Sequence, residues 1–123
     1  MEHCNDFRYD LKTGQIGEQL LENILNFKTI EVKRDSWIYK SGNIAIEYES
    51  RDKPSGISKT EAEYWAIIFS GGYKDEIIII IKTNRLKDIC RKYYKLGNIK
   101  LMGDNNTSKA ILIPTKEFLL YER

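Results

Sequence analysis

Asp35, Glu47 and Glu49 are the residues of this 123-residue sequence whose types and spacing suit chemistry. Glu47 and Glu49 stand two apart in NIAIEYE, Asn43 to Glu49, a run that alternates apolar and polar side chains and reads as a strand. Both glutamates are then expected on the face opposite Ile44, Ile46 and Tyr48. Asp35 opens SWIYK, Ser36 to Lys40, which reads as a second extended segment, with Ser41-Gly42 as the turn between the two. A two-residue loop would pair Lys40 with Asn43 and set Glu47 opposite Ser36. A three-residue loop ending in a left-handed Gly42 would pair Tyr39 with Asn43 and set Glu47 opposite Asp35. The second register is the expected one, because glycine suits the left-handed position and the pairing puts Asp35 and Glu47 on one face. Carboxylates held together disfavour one another's ionisation, so such a cluster normally implies a bound cation or an intervening basic group. The competing expectation is a solvent-facing strand face, where glutamates are common.

Those acids need elements to position them. Ile16, Leu20, Leu21, Ile24 and Leu25 recur at helical period within Gly14 to Phe27, which predicts a helix with one buried stripe. Glu18 falls at the edge of that stripe, near the angular positions of Leu21 and Leu25; it either looks toward a sheet or is a plain surface glutamate flanking a core face. Lys28 to Lys33 (KTIEVK) predicts a first strand, making three with the two segments above. After the polar stretch SRDKPSGI, Ser58 and Glu61 form a capping box, and Ala62, Trp65, Ala66 and Phe69 continue as a helix that Ser70-Gly71-Gly72 ends. EIIIIIK, Glu76 to Lys82, predicts a central strand covered on both faces. A further helix, capped by Thr83 or Asn84, runs to about Lys95 with Leu86, Ile89, Cys90 and Tyr93 inward. Lys87, Arg91 and Lys95 form its outward stripe, either a solvated face or a contact for a DNA backbone. Gly103 to Ser108 reads as a loop, Ala110 to Pro114 as a strand, and Thr115 to Tyr121 as a closing helix or strand.

Composition narrows the class. The length fits one domain, residues 1–123, and 41% hydrophobic with 31% charged residues describes a folded globule with a solvated surface. Twenty basic against eighteen acidic residues give a formal charge of +2, too weak to diagnose nucleic-acid binding alone. Cys4 and Cys90 are too far apart for a metal-binding CxxC, which fits a reduced, intracellular setting, and His3 beside Cys4 lacks a second ligand pair. The longest apolar run, Ile77 to Ile81, is far short of a membrane span, so a soluble, unexported protein is expected.

The order helix, three-stranded meander, helix, strand, with these acids, resembles the PD-(D/E)XK nuclease superfamily. Residue by residue, Glu18 matches the first-helix acid, Asp35 the motif aspartate, with Arg34 where the motif has proline, and Glu47 the first acid of the tripeptide; Asp35 and Glu47 lie 12 residues apart. GNIAIEYES followed by KPSGISKTEAEYW is similar to small phage or viral members, the Holliday-junction-resolvase-like ones included. The resemblance implies an α/β fold with a restriction-endonuclease-like mixed sheet, an antiparallel three-stranded meander flanked by helices. It implies an endonuclease hydrolysing DNA with Mg²⁺ or Mn²⁺ held by Glu18, Asp35, Glu47 and the Tyr48 carbonyl. A homodimer acting in the cytoplasm, virus-encoded, with no membrane and no organic cofactor, completes the expectation. Lys33, Arg34, Arg51, Lys53 and Lys59 border the site and are the candidates for phosphate contacts. The departure is Glu49, where the family usually has lysine: it would serve as general base or further ligand, with Lys33, Lys53 or Lys59 supplying the missing charge. The alternative is a nucleic-acid or protein binding module of nuclease fold without turnover; a third is a viral structural or interaction protein.

Overall fold

The computed structural model describes residues 3–71 and 74–119. Its element order is α1 (His3–Phe27), β1 (Ile30–Asp35), α2 (Ile38–Ser41), β2 (Asn43–Ser50), β3 (Lys53–Pro54), β4 (Tyr64–Gly71), β5 (Lys74–Lys82), α3 (Thr83–Lys95), β6 (Ile99–Met102) and β7 (Ser108–Pro114), with 3₁₀ turns at Gly56–Ser58, Asp104–Asn106 and Thr115–Leu119. The class is α/β. One sheet is mixed, in the order β1-β4-β5 with β1 parallel to β4, and the other is antiparallel, in the order β3-β2-β7-β6. Ile44 and Ile46 of β2, Trp65, Ile67 and Phe69 of β4, Ile111 and Ile113 of β7, and Leu86, Ile89, Cys90 and Tyr93 of α3 share one core. The inner faces of both sheets and one face of α3 therefore supply the hydrophobic stabilisation together.

The expected three-stranded meander does not form. β1 pairs with β4 in the other sheet, and the partner of β2 is β7, which sets Glu47 against Ala110 and not against Asp35. Ser36 to Lys40 is no strand, because Asp35 captures the chain first: its Oδ1 accepts the Trp37 N–H at 2.9 Å and opens an Asx-type turn that continues into α2. Gly42 is left-handed as expected, at φ 72°, but as the C-cap of α2, where its N–H donates to the Ile38 carbonyl.

The expected helix after Ser58 is also replaced, by the strand β4. Its continuous run WAIIF fits a strand buried on both faces as well as it fits a helix, and the β-branched Ile67 and Ile68 favour the strand. β4 is therefore the central strand of its sheet. β5, expected there, lies at the edge, with Ile77 and Ile78 exposed. α1 contains the expected helix but not its buried stripe: Ile24 is buried, whereas Ile16, Leu20, Leu21 and Leu25 are exposed. α3 agrees with expectation in span and buries Leu86, Ile89, Cys90 and Tyr93, with Thr83 besides, but neither Thr83 nor Asn84 caps it: the N-cap is Lys82, and the Thr83 hydroxyl donates instead to the Ala62 carbonyl at 2.7 Å. β7 contains the expected strand at Ala110 to Pro114. β6 carries no strand signal in the sequence pattern.

Candidate functional site

β2 carries both tripeptide acids, and its two faces receive them separately. From Asn43 to Glu47 the strand alternates regularly, with Ile44 and Ile46 fully buried, so Asn43, Ala45 and Glu47 occupy the outer face. The register with β7 then shifts: Glu47 pairs with Ala110 and Glu49 with Lys109, which leaves Tyr48 as the extra residue of a β-bulge. Lys109 shares its face with Ile111 and Ile113, so Glu49 is turned inward beside Tyr48. The Lys109 Nζ lies 3.2 Å from Glu49 Oε2 and is held in its charged form by that carboxylate. The expectation that Glu47 and Glu49 share a face is thus overturned by one inserted residue.

A cleft of about 470 Å³ opens on the outer face. Asp35 stands at its wall and is buried; its Oδ2 accepts the Ala45 N–H at 3.1 Å, which ties the end of β1 to the strand of Glu47, two residues short of Glu47 itself. Lys33, Trp37 and Lys100 line the same cleft. Lys100 pairs with Ala110, which pairs with Glu47, so Glu47, Ala110 and Lys100 form one row across the sheet. Neither Trp37 nor Lys100 stands out in the sequence. Lys100 sits on an unanticipated strand, and Trp37, with Lys40 Nζ 5.1 Å from its ring centroid, on a segment misread as extended.

The Ser55-Gly56 turn fixes the backbone between the two acids. Ser55 N–H donates to the Tyr48 carbonyl at 3.1 Å, so that oxygen, a proposed metal ligand by resemblance, already accepts a hydrogen bond. Gly56 has φ +52°, and a Cβ there would come within 2.2 Å of the Glu47 carbonyl oxygen. Only glycine fits both the left-handed backbone and this approach.

A second cleft, about 590 Å³, opens between the inner face of β2 and α3, with Tyr48, Glu49, Lys87, Arg91, Tyr94 and Lys95 in its lining. Burial pushes the Cys90 thiol on its floor up to about 12, which makes it a poor nucleophile. α3 is secured from behind by Glu117: this buried carboxylate accepts the Tyr93 hydroxyl at 2.5 Å and Lys92 Nζ at 3.0 Å. The Tyr93 hydroxyl, foremost, and Lys92 hold the Glu117 carboxyl below its ordinary value. No sequence pattern pointed to Glu117, since its partners lie 24 and 25 residues away.

The remaining candidates disperse. Glu18 is exposed and lines a shallow groove formed by α1 residues alone, such as Lys12, Gln15 and Gln19, so it is not brought to Asp35 or Glu47. Arg34 does line the outer cleft beside Lys33, but its guanidinium is engaged across β4 by Asp75, at 3.1 Å. Arg51 forms with Asp52 the two-residue β2–β3 turn, both at positive φ; Lys53 lies on β3 and Lys59 follows the 3₁₀ turn, all exposed. Among the described residues, no three or more His, Cys, Asp or Glu side chains gather as a metal-holding group. No helix among them is long and apolar enough to cross a membrane. The chain matches no known protein family, no curated protein and no solved structure.

Proposed function

We propose that the protein is a DNA-cleaving endonuclease of the PD-(D/E)XK type, reduced to two acids, Asp35 at the end of β1 and Glu47 on the outer face of β2. The observation that carries this reading is the tether between Asp35 Oδ2 and the Ala45 N–H, which holds a buried carboxylate against the strand of Glu47. A structural carboxylate could cap that strand edge too, but the cleft beside it also holds Lys33 and Lys100, charges that suit a phosphodiester. Each Asp35 oxygen accepts one N–H, and a carboxylate has about four lone-pair sites, so acceptor capacity remains. Mg²⁺ or Mn²⁺ is commonly held through one or two carboxylates with water completing the shell, so Asp35 has the donor chemistry for it, with Glu47 two residues beyond its Ala45 anchor and outside the cleft lining. When bound there, such an ion supplies a water of lowered pKa and a Lewis acid for the phosphoryl oxygen. Lys33 and Lys100 orient the backbone phosphates and offset the charge that develops on them. Lys100 takes the place of the lysine missing at Glu49. On this reading the two sheets are a divergent restriction-endonuclease-like arrangement, working as a cytoplasmic homodimer.

A second reading, a binding module without turnover, draws on two observations: Glu49 is paired with Lys109 on the opposite face, and Glu18 stands apart on α1. Incubation with supercoiled plasmid, branched DNA and single strands in Mg²⁺ or Mn²⁺ separates the two. Cleavage that falls at least about 100-fold in both Asp35→Asn and Glu47→Gln is expected, the scale of losing an electrostatic stabiliser of the transition state. Undiminished cleavage in both variants removes Asp35 and Glu47 from the chemistry. Binding without cleavage selects the second reading.

A further inference from the structure

We propose that the inner cleft, between α3 and the bulged end of β2, binds unpaired nucleotides of a single strand, with Tyr94 as the stacking platform and Lys87 and Lys95 on the backbone phosphates. The inference rests on the reading that the protein handles nucleic acid, but not on turnover. Tyr94 is half exposed, and its ring meets Tyr48 edge-to-face, at 5.5 Å between centroids and 80° between planes. Tyr48 is itself packed against the core, so the exposed ring is braced before any ligand arrives. A pre-set aromatic surface costs a bound base little ordering entropy.

The charges around it have the sign and spacing a sugar-phosphate chain requires. Lys87, Arg91 and Lys95 follow one another at i, i+4 and i+8 along the cleft wall, and the stripe is one continuous ridge. The opposing acids are locally balanced: Asp88 is 2.9 Å from Arg91, and Glu49 is 3.2 Å from Lys109. Among the described residues neither Lys87 nor Lys95 has an ion-pair partner. Cations lining a groove with an aromatic ring inside it are the combination by which single strands are bound with little base preference. A duplex presents its phosphates to such a ridge but keeps its bases stacked away from the ring. The bulge at Tyr48 is what builds the cleft: it turns Tyr48 and Glu49 onto the same face, and Lys109 holds Glu49 aside.

The test is fluorescence anisotropy of a labelled thymidylate oligomer of about 12 nucleotides, within the usual site size for one such groove, against a duplex hairpin of similar length. The full chain is used, and each variant is checked by circular dichroism. The single strand is expected to bind at least about 10-fold more tightly than the duplex. Tyr94→Ala is expected to weaken it about 10-fold or more, the scale of one lost base–aromatic stack. Lys95→Glu, at an exposed position, is expected to lower the salt slope of single-strand binding by roughly 0.7 or more. Equal affinity for the two DNAs, or single-strand binding unchanged in both variants, overturns the proposal. Asp35→Asn serves as the separating control. If it abolishes cleavage and leaves single-strand affinity intact, both readings stand. If cleavage is absent from the wild type while Tyr94→Ala still loses binding, the nuclease reading fails and this one survives. Loss of single-strand binding in Asp35→Asn as severe as in Tyr94→Ala would move the strand out of this cleft and overturn it.

Discussion

β2 separates two surfaces that share a backbone and little else. The outer face is anchored by one buried carboxylate bonded to main-chain amides, Asp35 on Trp37 and Ala45. The inner face is anchored by packing, with α3 laid over Ile111 and secured through Tyr93 to Glu117. The first arrangement is local and directional, and leaves a carboxylate with spare acceptor sites at the rim of a cleft. The second is long-range and apolar, and leaves a ridge of cations over a groove. A single bulge at Tyr48 decides which acid belongs to which surface. Counting residues along a strand assigns faces only while the ladder is regular.

The contrast can be broken at its shared backbone first. Gly56→Ala places a Cβ against the Glu47 carbonyl at a left-handed position, so it should cost about 3–5 kcal/mol in urea unfolding and disturb both clefts. Asp35→Ala acts on the outer face alone. It strands two part-buried amides, with an expected loss of about 3 kcal/mol, while single-strand binding by the refolded variant persists. Glu117→Gln acts on the inner face alone, with an expected loss of about 2 kcal/mol at neutral pH. Its pH dependence has a definite sign. Because the folded Glu117 carboxyl is held below the ordinary 4.5, its stabilisation is complete above that pH and is lost as pH falls through the lowered value. A thermal melt series below pH 5 should show that slope in the wild type and a shallower one in Glu117→Gln. The smallest effect belongs to neither face: Asp52→Gly relieves a non-glycine residue at φ 63° in the β2–β3 turn and should stabilise by about 1 kcal/mol, with both clefts unchanged.

Much of the architecture was legible from local pattern. The inward face of α3, Leu86, Ile89, Cys90 and Tyr93, follows the expectation because its apolar stripe and its partners agree, whereas its cap is Lys82 and not Thr83 or Asn84. β2 and the left-handed Gly42 were also read correctly. The errors came where a side chain or a distant strand outbid the local preference. Asp35 bends Ser36 to Lys40 into a turn by taking the Trp37 amide, and no alternation of residue types records that competition. β4 was read as a helix because a short apolar run satisfies both periodicities, and with β4 misplaced the central position passed wrongly to β5. At the site, Asp35 and Glu47 were singled out by type and spacing. Lys100 and Glu117 were not, since each acquires its meaning only from strand order or a contact far along the chain.

α1 carries a consequence for the protein's motions. Leu11, Ile16, Leu20, Leu21, Leu25 and Phe27 all project into solvent, and Ile24 is the one described apolar side chain of the helix that is buried. Such a helix draws its stability from its own ladder of hydrogen bonds, whose gain per residue in water is small. Its amides should therefore open and exchange with deuterium far ahead of those in α3, whose opening requires the core to come apart. The molecule should thus show two tiers of protection among its described residues: a core-bound body of sheets and α3 that opens late, and an arm that winds and unwinds on its own clock.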